Sequence, residues 1–299
     1  MTSTHAINKY IDPMVDFGFK KIFKESGNQR LIIRPLNAVF GLDIASVTIE
    51  ESELLGLTEE ERRASFDIHC TASDGSEFII EVQLAEQQFF AERAIYYSAL
   101  TIAHQGERGQ WDFSLHPVFF LGLMNFDLRH LEPQKADPGK FIHHFTLRED
   151  ESGEQMSRAL RFAFMEVQRF DKPKEECKCF EEKFLYIMKN LPTFVEKPEL
   201  WDDPYFEEMI QEAEFASMTL EEKRRYALAM KQRRDYENTI DFARQQGLNA
   251  GREEGRAEGR AEGRLQQAKQ TAQTLKEAGV DITLIIKSTG LNGEDIAAL

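Results

Sequence analysis

Two carboxylates and one amide fall in a pattern that can do chemistry: Asp67, then Glu81 and Gln83. Residues 65–71 and 77–84 both read as strands, and Asp74-Gly75 between two apolar runs is the strongest short-range hairpin signal. Alternation along a strand sends Glu81 and Gln83 to one face of the sheet and Ile80 and Val82 to the other. Asp67 lies between Phe66 and Ile68 in the same apolar–acidic–apolar setting. Antiparallel pairing in a suitable register then brings it beside Glu81 and Gln83. Two hard carboxylates, with the Val82 carbonyl and water, suit octahedral Mg2+ or Mn2+. Such an ion lowers the pKa of water and neutralises charge on a phosphodiester. Gln83 does not titrate, so the role open to it is to orient the attacking water or a phosphate oxygen. The plainer alternative is a set of solvated carboxylates on an exposed strand face, and spacing alone does not decide against it.

The elements that must hold these residues follow from periodicity. Residues 14–41 read as helical, with Phe17, Phe19, Ile22 and Phe23, then Leu31, Ile32, Leu36, Val39 and Phe40 at helix spacing. Gly27-Asn28 breaks this stretch in two, and Pro35 predicts a kink or a late helix start. Residues 44–49, 115–123 and 141–147 read as further strands, and 88–105 as a helix. The order helix, three strands, helix, two strands predicts an α/β fold with a mixed sheet. From about residue 155 the chain reads as mostly helical. The expected organisation is a core over 1–155, a helical extension packed on it over 156–245, and a C-terminal helical region over 246–299.

The last region opens with the repeat Gly251-Arg-Glu-Glu-Gly255-Arg-Ala-Glu-Gly259-Arg-Ala-Glu-Gly263-Arg. A four-residue period lags an α-helix by about 40° per repeat, so the glycines wind slowly as a stripe. Each costs about 1 kcal/mol against Ala, which weakens an isolated helix. The stripe therefore reads as a packing surface for a partner or for the enzyme's own body. Residues 281–292 have the apolar–Gly–apolar look of a helix-turn-helix, but Lys287 alone is basic where a groove-reading helix wants several. Self-association, as a homo-oligomer and specifically a dimer through the C-terminal helices, is the expected use.

Composition sets outer limits. The 299 residues are 41% hydrophobic and 30% charged, ordinary for a globular chain. The net charge of −15 does not favour bulk attraction to nucleic acid. Phosphate contacts depend on local basic groups, so a nuclease is not excluded. No apolar run approaches the roughly 18 residues of a membrane span, no signal-peptide layout opens the chain, and three cysteines make no disulfide framework. Cytoplasmic location is expected. Cys177-x-Cys179 has no further zinc ligand beside it, His143 and His144 face opposite sides of a strand, and His69 reads as a hydrogen-bond partner.

Asp67 followed by Glu81-x-Gln83 resembles the D…ExK core of the PD-(D/E)xK superfamily, with Gln in place of Lys. More specifically, the chain resembles the recombination-promoting nuclease/putative transposase family. The matching pieces run in order: Asp16-Phe-Gly-Phe-Lys20-Lys-Ile-Phe23, Leu36-Asn-Ala-Val39, Phe66-Asp67-Ile68, Asp74-Gly75, Ile80-Glu81-Val-Gln83, Phe90-x-x-Arg93-x-x-Tyr96-Tyr97, Pro117-Val118, Phe145, Glu166-Val-Gln-Arg-Phe170 and the Gly-Arg-Glu tail.

The resemblance implies a restriction-endonuclease-like core, with a mixed central sheet flanked by helices and a mostly helical C-terminal region. It also implies Mg2+- or Mn2+-dependent endonuclease cleavage of double-stranded DNA, linked to recombination or transposition. Asp67 and Glu81 would bind metal, with the Val82 carbonyl, and Gln83 would complete the catalytic set without a lysine's acid–base chemistry. Asp16 is either a further carboxylate or a helix cap. Lys20 either meets phosphate or is solvated. Arg93 either clamps a phosphate or pairs locally. The competing readings are a weak or inactive nuclease-fold module that binds DNA or protein, and a transposase with strand-joining activity.

Overall fold

The computed structural model describes residues 9–51, 53–54, 64–85, 89–106, 111–128, 137 and 139–299. They form two compact units, Met1–Lys231 and Gln232–Leu299. In the first, helix α1 (Asp16–Phe19) runs directly into a π-helical turn, Lys20–Glu25, and α2 spans Arg30–Phe40. Then come strands β1 (Val47–Ile49), β2 (Glu53–Leu54), β3 (Ala64–Ser65), β4 (Ile68–Ala72) and β5 (Glu77–Gln83), followed by helix α3 (Phe90–His104). Strands β6 (Val118–Met124), β7 (Ile142–Thr146) and β8 (Leu160–Glu166) complete the β structure. Helices α4 (Phe180–Asn190) and α5 (Pro204–Glu212) follow, and α6 (Leu220–Glu277) continues into the second unit.

Six strands make one mixed sheet in the order β1-β4-β5-β6-β8-β7. The pairs β5–β6 and β6–β8 are parallel, and the others are antiparallel. The expected hairpin joins β4 and β5. Gly75 takes φ +84°, the Asp74 carboxylate accepts the Ser76 N–H at 2.9 Å, and the Ala72 N–H reaches the Ser76 carbonyl at 2.8 Å. Alternation divides the sheet into two cores. Phe78, Ile80, Phe119, Leu121, Leu123 and Met165 belong to the core that includes residues of α2, α4 and α5. Ile79, Phe120, Phe162 and Phe164 pack with Phe90, Ala94 and Leu100 of α3.

The mixed sheet agrees with the sequence reading, but β8 corrects it. Residues after about 155 read as mostly helical, which holds for the greater part, but 160–166 form a strand inside the sheet between β6 and β7. Leu-Arg-Phe-Ala-Phe-Met-Glu has no clean alternation because helices cover both faces there, and a short apolar run of that kind does not separate strand from helix. A core ending at residue 155 would lack this strand.

Pro35 neither starts nor ends α2; it sits inside the helix. Having no N–H, it leaves the Leu31 carbonyl without its helical donor. The buried Tyr205 hydroxyl of α5 donates to that carbonyl at 3.1 Å. Beside it, Arg34 donates to both oxygens of Asp203 at 2.6 Å, and Asp203 also caps α5. These bonds tie α5 to α2.

In the second unit, Gly279 and Gly290 adopt left-handed conformations that end α6 and helix α7 (Ile282–Thr289). Helix α8 (Gly293–Ala298) completes a small core of Ala272, Ile285, Leu291 and Ile296. The Gly-Arg repeat is continuous helix within α6, and the positions where Gly251, Gly255, Gly259 and Gly263 would carry a Cβ face open space.

Replacing Tyr205 by Phe keeps the ring but strands the buried Leu31 carbonyl. The expected cost is about 1–3 kcal/mol, read as a lower midpoint in denaturant unfolding with an unchanged slope.

Candidate active site

Strand β4 begins one residue after Asp67, so Asp67 sits at the end of the ladder, opposite the C-terminal residues of β5. Its side chain takes over where main-chain pairing stops: Oδ2 accepts the Val82 N–H at 2.7 Å. In return the Asp67 N–H donates to Glu81 Oε1 at 3.2 Å. The two carboxylates are thus locked together by register. The N–H and C=O of one strand residue point to the same side, so the Val82 carbonyl shares the side that faces Asp67. Glu81 and Gln83 lie on the α3 face, where they are only 8% and 9% exposed, and Asp67's side chain is 14% exposed. The alternative of solvated carboxylates on an open strand face does not hold for Glu81.

The first helix closes the cluster. Lys20 Nζ lies 2.6 Å from Asp16 and 3.5 Å from Asp67. Gly18 lets the main chain at Asp12 lie against this helix, since a Cβ there would sit 2.0 Å from the Asp12 carbonyl oxygen. Asp16 has no side-chain capping bond, although acidic residues at a helix start often do. It instead hydrogen-bonds with Asp67 and pairs with Lys20. Lys21 is held elsewhere, by Glu222 at 2.6 Å.

Gln83 is committed within the protein. Arg93 carries only donors, so the amide oxygen must face it, and NH2 donates to Oε1 at 2.5 Å. The amide nitrogen donates to the Ala85 carbonyl at 3.0 Å. Arg93 therefore pairs locally, with its guanidinium 5.5 Å from the Phe90 ring centre. His69 points away from the carboxylates in its bonding: it meets Glu77 at 3.0 Å. His143 meets buried Glu166 at 3.1 Å, and Cys179 caps α4 together with Glu182. Sequence reasoning did not pair Lys20 with Asp67 or Arg93 with Gln83, because helix–strand contacts leave no periodic signal.

The electrostatics follow from this packing. Desolvation, with help from the Asp16 carboxyl, pushes Asp67 up to about 6 against the pull of the Val82 N–H and Lys20. Desolvation and the Asp67 charge push Glu81 up to about 8, against Arg93 and Lys20. Partial desolvation opposes ionisation of Asp16, but its bonds to Asp67 and Lys20 outweigh that and hold it below the usual range. The same pairings raise Lys20 despite its desolvation. Two desolvated carboxyls, with the exposed Asp16 and the Lys20 ammonium at their edge, make a cluster rich in carboxylate oxygen, an environment that fits a divalent cation. Among the described residues no three Asp, Glu, His or Cys side chains converge with metal-ligand spacing. The oxygens that an ion could meet here are those of Asp67, Glu81 and the Val82 carbonyl.

The sequence pattern of the PD-(D/E)XK nuclease family transposases matches residues 13–243, and the chain belongs to that family. No curated protein and no solved structure gave a significant match. The mixed sheet with flanking helices and a helical C-terminal region is consistent with the PD-(D/E)XK fold. Among the described residues no helix is long and apolar enough to cross a membrane.

Both carboxyls titrate higher in the folded chain than in the unfolded one, whose carboxyls lose their protons near pH 4. The metal-free native state therefore holds protons that the unfolded state has released, and its stability falls as pH rises from about 4 toward about 8. Glu81→Gln keeps the acceptor for the Asp67 N–H and removes the charge. It is expected to unfold at higher temperature than the wild type at pH 8 without metal. A flat wild-type melting temperature from pH 5 to 8.5 (both roughly bracketing that window) would count against the burial argument.

Proposed function

We propose that the chain is a metal-dependent endonuclease that hydrolyses phosphodiesters in double-stranded DNA, in the setting of recombination or transposition. The single observation that carries this reading is the register-locked pair of desolvated carboxylates, Asp67 and Glu81, within a chain of a nuclease family. Asp67, Glu81 and the Val82 carbonyl would hold Mg2+ or Mn2+. When bound, such an ion activates water and neutralises charge on the phosphate.

The chain's own residues supply the rest. Lys20 brings a cation to Asp67 from a different element, at the place in the cluster that Gln83 does not serve. It is suited to meet a phosphate oxygen or to hold the attacking water. Arg93 and the Ala85 carbonyl fix the Gln83 amide, so Gln83 acts by shaping the site beside Glu81. Asp16 keeps Lys20 oriented and ionised.

The test is nicking of supercoiled plasmid across divalent ions. Asp67→Asn is preferred to Asp67→Ala because it retains an oxygen for the Val82 N–H. Removing a partner in a metal's outer shell already costs about 10–100-fold, so Asp67→Asn and Glu81→Gln are expected to lose more than about 100-fold. Variants that cut like the wild type would remove the assignment. The second reading is a weak or inactive nuclease-fold module that binds DNA or protein; the internal engagement of Gln83 favours it. It requires binding without cleavage at any ion. Joined products in the same assay would instead indicate strand transfer.

We also propose that the C-terminal unit mediates a homo-oligomer. Its open glycine stripe and exposed Ile282 and Leu284 support this. Sedimentation of the full chain as a dimer is expected; a monomer at micromolar concentration (roughly the range of modest interfaces) would remove it.

A further inference from the structure

The repeat in α6 orders charge as well as glycine. Arg252, Arg256, Arg260 and Arg264 each follow a glycine, and Glu254, Glu258 and Glu262 each precede one. One residue turns an α-helix by about 100°, so arginines run along one flank of the glycine line and glutamates along the other. The whole stretch is exposed, and among the described residues none of these seven side chains has an ion pair within its own chain. Exposed Leu248 and Ile240 continue the same face toward the N-terminus, seven residues before Gly255 and eleven before Gly251.

Each row is unfavourable on a lone helix. Like charges four residues apart repel, and both rows consist of such neighbours. The opposite charges are segregated to opposite flanks, where one helix cannot bring them together. A second helix laid along the face supplies what is missing. In a parallel pair with a two-fold axis along the helices, the arginine row of each copy faces the glutamate row of the other on both edges. Arg256 of one copy differs in height from Glu254 or Glu258 of the other by about 3 Å, within side-chain reach. In an antiparallel pair, arginine would face arginine and glutamate would face glutamate. The open space at the glycine Cβ positions lets the backbones come close enough for the flanks to meet. Charge complementarity thus selects both the occupant and its direction.

We infer that α6 pairs with α6 of a second copy of this chain, parallel and in register, through these two rows. This rests on the homo-oligomer reading and gives its geometry. The interface is isologous, and both helices begin at the same end of the pair. A helix with the same glycine spacing but one sign of charge on both flanks is rejected, because one of its edges always meets its own sign.

Variants of the full chain test this by sedimentation and by capture with a tagged copy. Arg252→Glu, Arg256→Glu, Arg260→Glu and Arg264→Glu together make both rows acidic. Glu254→Arg, Glu258→Arg and Glu262→Arg together make both rows basic. All seven changes combined exchange the rows. The acidic and the basic variant should each self-associate at least about tenfold more weakly than the wild type, and should form a dimer when mixed. That recovery also shows that both fold. The exchanged chain should dimerise as tightly as the wild type yet fail to capture it. Preferential capture of the wild type by the exchanged chain would indicate antiparallel pairing and overturn the inference. Acidic or basic variants that dimerise like the wild type, or that stay apart when mixed, would also overturn it while leaving the homo-oligomer reading intact. A wild-type chain that sediments as a monomer would overturn that reading, and the inference with it.

Discussion

Strand β4 stops one residue short of the place where β5 still offers a main-chain N–H, and Asp67 fills the gap with its carboxylate. One side chain therefore closes a ladder and forms half of the acidic pair. Glu81 is fixed by the reciprocal bond from the Asp67 N–H. Because the helices cover both faces of the sheet, neither carboxylate can hydrate fully, and their mutual repulsion is not screened. The raised proton affinities of both carboxyls descend from this one closure.

A carboxylate with a structural duty is a poor candidate for free movement, which suits a site that must hold its geometry. The more adaptable groups come from outside the sheet. Lys20 reaches in from a π-helical turn, a local irregularity that often marks functional positions. Gln83 is braced from α3. The site is thus a rigid strand pair with helix-borne charges around it.

The hairpin and the two-faced alternation of β5 were legible because local turn chemistry and period-two patterning encode them directly, whereas the register of Asp67 against Glu81 had to be assumed. Strand β8 was not, since burial on both faces erases alternation. The fate of Pro35 was also hidden: the remedy for its missing hydrogen bond lies in Tyr205, far along the chain. Lys20 and Arg93 were visible as candidates, but only tertiary packing decides which carboxylate or amide each one meets. The left-handed backbone at Phe89 contradicts residue preference and carries no sequence mark at all.

The first helix bears Asp16 and Lys20, yet much of what holds it comes from the far end of the unit. The Ile11 N–H bonds the Ala213 carbonyl, the Asp12 N–H bonds the Tyr226 hydroxyl, Lys21 pairs with Glu222, and Arg225 lies over the Phe17 ring. Among the described residues, strand β7 likewise pairs only with the later β8. During synthesis, the sheet can bring Asp67 to Glu81 well before residues 213–226 exist to seat the helix that carries Lys20. The order of translation thus separates an early pocket of two carboxylates from a late one that also holds Asp16 and Lys20, and a chain cut short before residue 213 would carry the carboxylates without these tethers for Lys20.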